Sequence, residues 1–312
     1  MSSYSDKLYA PFVFYTRFGI GVFDEAWLDF RIRAFGAITL PSVSRLLRPD
    51  DKWFIFLDRD MPRERLDEFR ALVDANPASS RIELVFVRYA FEVADALEDR
   101  LRFSMPSGPM YLTRIDDDDA LRHDTIDLFL DLALRTEGDK LFMSATSAIE
   151  FFPVERLVLE GRHDLLVNVA FGLAEDVHGF ARGGHHTLLG WAERTGKTVA
   201  LLDARHSVFL YNRHRQSSSR FTSRRSTARD SADSRKWLSS DFRMFNLDVD
   251  RLVEFRLFAA TAPYAKEGSA WTDSDEQTAL ALSQFSSLRS LKTDLLNSRV
   301  TLLQDVQESP IA

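Results

Sequence analysis

The sequence predicts an α/β protein: a doubly wound, mostly parallel sheet flanked by helices, with a C-terminal helical appendage. Three observations predict it. Short apolar runs of the buried-strand kind recur and stop at polar residues, segments of helical character separate them, and leucines at helical spacing close the chain. Strands that alternate with helices pair in parallel, and ligands of such sheets bind beyond the carboxyl ends of the strands.

The elements follow in order. Pro11–Arg17 is an apolar run that halts at Thr16 and Arg17, as a buried parallel strand does. Asp24 is placed to cap a helix through Trp27, Phe30, Arg31 and Phe35. Leu40-Pro41-Ser42 restarts the chain, and Ser42–Leu47 reads as a short helix. Trp53–Leu57 is a second strand ending at Asp58, Pro62 opens a helix that runs to Leu72, and Ile82–Val87 is a third strand. Phe91–Phe103 reads as a helix and Met110–Ile115 as a fourth strand. Arg17, Asp58 and Asp116 then fall at strand ends that face one crevice. Beyond the helix Thr125–Arg135, Leu141–Ile149 and Phe151–Val158 suggest a hairpin, Thr187–Arg194 a helix, and Val199–Leu202 and Val208–Tyr211 short strands. Arg213–Lys236 carries seven arginines and one lysine against two aspartates, with many serines, and is expected to be a mobile loop. Leu280, Leu282, Phe285, Leu288, Leu291, Leu295, Leu296 and Leu302 place one or two amphipathic helices over Ser274–Gln304, suited to docking or self-association. The expected division is a catalytic domain over residues 1–240 and a helical extension over 241–312.

The bulk numbers exclude several classes. The 312 residues are 45% hydrophobic, enough for a sizeable core, and the net charge of −7 provides no general field for nucleic acid. With no cysteine, the chain has no disulfide, thiolate zinc site or Cys nucleophile, which fits a reducing compartment. No run reaches the roughly 18 apolar residues of a spanning helix, and no signal-peptide pattern opens the chain. The expected location is cytoplasmic, with the inner face of the membrane as a place of contact.

Asp116–Asp119, four consecutive aspartates after the fourth strand, carry the most chemistry. Carboxylates this close raise one another's pKa, and a divalent cation with a preference for oxygen, such as Mg²⁺ or Mn²⁺, relieves the repulsion. The run also reads as a solvated acidic turn in which Asp118 or Asp119 caps a helix starting near Ala120.

Several segments in order resemble a bacterial rhamnosyltransferase family of the GT-A glycosyltransferase type. They are Tyr15-Thr16-Arg17-Phe18, Trp27 with Arg31, Leu40-Pro41-Ser42, the strand ending at Asp58, and Leu112-Thr113-Arg114-Ile115-Asp116 continuing through Asp118-Asp119-Ala120-Leu121. The resemblance covers the first half of the chain and thins beyond residue 150. It implies a GT-A-like fold and transfer of a sugar, rhamnose by the family label, from a nucleoside-diphosphate sugar. The acceptor it implies is a glycan or a lipid-linked glycan of bacterial surface polysaccharide synthesis. It implies Asp116 and Asp118 as an Asp-x-Asp pair holding Mn²⁺ or Mg²⁺ against the diphosphate, with Asp118 the more direct ligand. Asp119 caps the helix or touches the donor sugar. Thr16, Arg17 and Arg114 lie with the donor, the arginines on phosphate, and Asp58 accepts from base or ribose; Arg17 and Arg114 read equally as surface salt-bridge residues and Asp58 as part of a turn. His214 completes the metal shell, with His206 its rival, and the loop bearing Ser217, Ser218 and Ser219 folds over the diphosphate. Glu175-Asp176 resembles the acidic pair of inverting enzymes, in which one carboxylate takes the acceptor's proton. The pair reads equally as a cap, and Glu150 is the weaker candidate for the base. His178, His185 and His186 lack a regular zinc spacing.

Two other classes compete. A nucleic-acid- or polyanion-binding protein would use the Arg/Ser-rich loop 213–236, against which the overall acidity argues. A phosphoryl-transfer hydrolase would put its nucleophilic Asp after the first strand, where this chain has Thr16-Arg17.

Overall fold

A computed structural model describes residues 4–105, 107–154, 157–177, 179–182, 187–202, 207–214, 233–236 and 238–262. Ser217, Ser218, Ser219, His178, His185, His186, His206 and the leucine stripe Ser274–Gln304 lie outside the described residues, as does most of the loop 213–236.

The first half alternates helix and strand: α1 (Tyr4–Tyr9), β1 (Phe12–Phe18), α2 (Glu25–Ala34), α3 (Leu40–Leu46), β2 (Lys52–Asp58), α4 (Arg63–Asp74), β3 (Ile82–Val87), α5 (Glu92–Ser104) and β4 (Met110–Arg114). The second half is strand-rich: β5 (Ala120–Leu121), α6 (Thr125–Arg135), β6 (Leu141–Phe152), β7 (Leu157–Gly172), α7 (Ala174–Val177), α8 (Leu188–Arg194), β8 (Thr198–Leu202), β9 (Phe209–Asn212) and β10 (Asp233–Lys236). Two helices follow, α9 (Ser239–Met244) and α10 (Val249–Thr261).

One mixed, mostly parallel sheet runs β3-β2-β1-β4-β7-β6-β9-β5. The first four strands are parallel, β7 lies antiparallel to both β4 and β6, and β9 returns parallel to β6. This is the doubly wound, mostly parallel sheet flanked by helices that the sequence suggests. The outer edge of β6 is shared: β8 pairs along Leu141–Ala145 and β9 along Ala148–Phe151, with a bulge between Ala145 and Ser147. The upper half of the β6–β7 hairpin therefore stands beyond the end of β4.

Alternation along β1 divides the core. Phe12, Phe14 and Phe18 pack with Trp53, Phe35 and Phe69 on one face, and Val13 and Tyr15 pack with Phe54, Phe56, Val93 and Leu97 on the other. A third cluster joins Phe30, Ala34 and Ile38 to Phe151, Leu210, Phe245, Leu252 and Phe255. Through it the described part of the expected C-terminal extension, as far as Ala262, packs on α2 and on the end of the sheet.

Several elements differ from expectation. The chain does not restart at Leu40-Pro41: α2 passes through a π-helical stretch, Phe35–Thr39, into α3. Pro41 has no N–H to donate back along the helix, and one wider turn accommodates that gap. No helix begins at Ala120. Ala120–Leu121 pairs with β9, and α6 starts at Thr125 after Asp124, so neither Asp118 nor Asp119 caps a helix. β6 is one strand through Glu150, and β7 extends 16 residues despite its polar centre. The end of the expected loop, Asp233–Lys236, pairs antiparallel with β7. Among the described residues no helix is long and apolar enough to cross a membrane.

Candidate functional site

Beyond the carboxyl ends of β1 and β4 the chain makes the turn Asp116–Asp119, and the four carboxylates part ways. Asp117, Asp118 and Asp119 are buried, while the Asp116 side chain is 36% exposed.

Asp117 and Asp118 meet Arg31, which α2 presents from its inner side. Asp24 accepts from the Trp27 N–H at 2.6 Å and fixes the start of that helix, which sets the rotation that buries Arg31 beside Phe30. Arg31 Nε donates to Asp117 Oδ2 at 3.1 Å, Nη2 donates to Asp117 Oδ1, and Nη1 donates to Asp118 Oδ2 at 2.5 Å. His214 Nε2 lies 2.7 Å from the same Asp118 oxygen and 3.3 Å from Arg31 Nη1. The His214 ring packs on Phe30, 4.9 Å between centroids. Burial works against charge on both Asp118 and Arg31, yet the pair outweighs it. Asp118 is held below the usual carboxylate range by Arg31 and His214, and Arg31 is held above the usual guanidinium value by Asp117 and Asp118. Burial lowers the pKa of His214 against the pull of Asp118, which favours the neutral imidazole. Burial, with the charges of Asp118 and Asp116, drives Asp119 well above its ordinary value, and its Oδ1 accepts the Asn212 N–H at 3.0 Å.

Asp116 turns the other way. Its Oδ1 accepts from Arg114 Nε at 2.9 Å and Nη2 at 2.6 Å. Arg114 is the neighbour of Tyr15 in the β1–β4 register, and Arg17 lies two residues further along the same face of β1. Arg17 is half-buried, and burial followed by the charge of Arg114 lowers its pKa. The Tyr15 hydroxyl is buried without a hydrogen-bond partner among the described residues, and burial pushes its pKa up to about 12.

The structure thus gathers Arg17, Arg114, Asp116, Asp118 and His214 around one turn. It does not bring Thr16, Glu175 or Asp176 there. The Thr16 hydroxyl faces the opposite side of the sheet and accepts from Trp53 Nε1 at 3.0 Å. Gly172, just before α7, pairs with Met110 at the amino end of β4. That end is roughly 13 Å from Arg114, counting four strand steps of about 3.3 Å. There Asp176 is tied down: Lys140 Nζ reaches its Oδ1 at 2.5 Å and Lys197 Nζ donates to its carbonyl at 2.6 Å. Glu175 is exposed beside it. Asp176 Oδ2 also accepts the Leu173 N–H at 3.3 Å in the turn after β7, and both residues lie away from the acidic turn. Asp58 sits at the end of β2 as expected, but its oxygens accept the backbone N–H groups of Gly21 and Asp60, both at 2.7 Å, so it shapes the loop after β1. Glu150 is buried on the upper hairpin, 3.9 Å from Arg213 Nε, and Arg213 lies over the Tyr211 ring.

Sequence reasoning assigns no role to Arg31 or Tyr15. For Arg31 a signal exists: a lone arginine within the apolar face Leu28, Phe30, Ile32, Ala34 needs a buried anion. Nothing in the pattern of β1 marks the Tyr15 hydroxyl as unpartnered.

A divalent cation is testable against this donor set. Among the described residues no three His, Asp or Glu side chains converge closely enough to hold an ion by themselves. Asp118 Oδ1 has no protein partner among the described residues, and Asp116 stands at the rim. One or two carboxylates with the remaining positions left to phosphate oxygens is how Mg²⁺-type ions are held in phosphate-transfer sites, so the donor set fits.

Residues 20–151 match the model of a family described as "Putative rhamnosyl transferase", fewer than half of the chain's 312 residues. No curated protein matches the chain. Among solved structures it is similar to TarS 1–349 of S. aureus, at 7% identity and a TM-score of 0.38 over 66% of this chain and 61% of that one. It is also similar to a mannosyltransferase of Pyrobaculum calidifontis in complex with GDP-Man and Mn²⁺, at 13% identity and a TM-score of 0.39, over 66% and 58%. A cytidylyltransferase of Leptospira borgpetersenii is similar at 10% identity and a TM-score of 0.33, over 64% and 79%. The chain thus spans about three fifths of the length of the first two.

Proposed function

We propose that this chain is a glycosyltransferase that moves a sugar from a nucleoside-diphosphate sugar to a glycan or lipid-linked acceptor, with the family description favouring rhamnose. The observation that carries the reading is the meeting of Arg17, Arg114, Asp116, Asp118 and His214 at the carboxyl ends of β1 and β4, of which Arg114, Asp116 and Asp118 fall within the residues that the family model matches. Two guanidiniums on one face suit phosphate oxygens. Asp116 and Asp118, with His214, would hold Mn²⁺ or Mg²⁺. Such an ion, when bound, supplies Lewis-acid stabilisation of the departing diphosphate. The protein's own share is to orient that diphosphate with Arg17 and Arg114 and to keep Asp118 ionised with Arg31.

An inverting course needs a carboxylate near the acceptor. Glu150, on the hairpin that carries the strand before His214, replaces Asp176 in that role, since Asp176 lies at the far end of the sheet. The direct test incubates the protein with Mn²⁺ and dTDP-, UDP- or GDP-sugars and follows release of the nucleoside diphosphate. At least one donor is expected to be hydrolysed slowly without acceptor and faster with one. Inert donors of all three nucleotides, with and without glycan acceptors, would remove the proposal.

A further inference from the structure

The face of the sheet that carries Tyr15 has an imbalance of charge and hydrogen bonding. Tyr15 is 1% exposed and its hydroxyl has no partner among the described residues. Arg17, two residues on and half-buried, makes no hydrogen bond or ion pair among the described residues. Arg114 lies beside Tyr15 in the register and is the nearby cation that Arg17 senses most. Two guanidiniums and a phenol thus share one face of the sheet, and among the described residues Arg114 donates to Asp116 while Arg17 does not. Adjacent cations and an unpartnered buried hydroxyl are costly unless an anion joins them. Asp116, partly exposed, occupies the place such an anion would take on Arg114.

We propose that Tyr15, Arg17 and Arg114 form an oxyanion pocket for the diphosphate of the donor, in which Asp116 is the resident competitor. The pocket rests on the nucleotide-sugar reading above and goes beyond it in two ways. It adds Tyr15 as a binding residue. It also makes Arg114 change partners: when the diphosphate takes Arg114, both hydrogen bonds to Asp116 Oδ1 are released, and that carboxylate, less neutralised, attracts a cation more strongly. Diphosphate and cation then favour one another's binding, because each removes a reason for the other to stay away.

The test is calorimetric titration of the full chain with inorganic pyrophosphate in EDTA, so that no metal contributes. Wild type is expected to bind. Arg17→Gln is expected to weaken binding roughly tenfold or more, the effect of losing a charged hydrogen-bond partner. Tyr15→Phe should weaken it severalfold without lowering the melting temperature, since the hydroxyl has no structural partner to lose. Asp116→Asn should tighten it severalfold, while Asp60→Asn, which removes a charge at the end of β2 without touching Arg114, should leave it within twofold. Absence of pyrophosphate binding in wild type would overturn the pocket. So would equal binding by Tyr15→Phe and Arg17→Gln, or weaker binding by Asp116→Asn. Donor turnover measured in parallel separates the two proposals. Turnover with pyrophosphate binding indifferent to these variants removes the pocket alone. The expected binding pattern without turnover of any donor removes the glycosyltransferase reading alone.

Discussion

On the α2 side of the acidic turn, all three nitrogens of the Arg31 guanidinium are engaged by Asp117 and Asp118. On the β1 side, Arg17 is half-buried and engages no acceptor among the described residues. Both arginines feel the same acidic run, Arg31 through Asp117, Asp118 and Asp119 and Arg17 through Asp116 and Asp117, yet one is saturated in the interior and the other is half-buried without an acceptor among the described residues. The difference separates structure from binding within a single acidic run. A cation that holds a turn in place must be saturated, because a buried charge without partners destabilises the fold. A cation that receives a ligand must keep its hydrogen bonds in reserve. Asp116, bound to Arg114 at the rim, and Asp118, with one oxygen committed and one not, stand between these extremes.

The sharpest way to break the comparison is to remove the closed arginine. Arg31→Leu leaves Asp117 and Asp118 as buried charges without their partner and is expected to cost about 3–5 kcal/mol, read by urea denaturation. A variant that unfolds at the wild-type urea concentration would show that the pair holds nothing together. Asp118→Asn comes next. It keeps the side-chain shape and reduces sugar transfer by roughly a hundredfold or more if an ion is held there, since that ion supplies several kcal/mol at the leaving group. Equal transfer by wild type in EDTA and in Mn²⁺ would contradict the metal role.

Much of the frame behind this comparison is legible in the amino-acid sequence. The apolar runs that end at Arg17, Asp58 and Arg114 form β1, β2 and β4 with nearly the expected bounds, because strands buried on both faces have no polar residues to confuse the period. Asp24 caps α2 as its position predicts. The second half is harder to read. β7 carries Glu160, Arg162, His163 and Asp164 along a hairpin that stands clear of the parallel sheet, so its strand is held by pairing with β6 and β10 and not by an apolar pattern. For the same reason Glu175-Asp176 gives a misleading signal. Its spacing along the chain suggests the site, but a long antiparallel β7 carries it to the far end of the sheet. Local composition reveals which residues can do chemistry; the direction of the strand decides where they arrive.

Smaller effects sharpen this point. Asp176→Asn and Glu175→Gln are expected to leave turnover within twofold, measured at saturating donor, because both side chains sit at the amino end of β4. A loss of turnover on the scale of Asp118→Asn would return them to the site. On the open side, Arg17→Gln is expected to change unfolding free energy by less than about 0.5 kcal/mol, the range of substitutions that break no native interaction.

The central claim is that the donor binds through the open arginine, beyond the carboxyl ends of β1 and β4. Its most direct test is thermal melting of wild type and Arg17→Gln with a panel of nucleoside-diphosphate sugars in Mn²⁺, since a ligand that binds only the folded state raises the melting temperature. The account predicts that at least one donor stabilises wild type and that Arg17→Gln, equally stable without ligand, loses most of that shift. An identical shift in both proteins, or none in wild type with any donor, would contradict it.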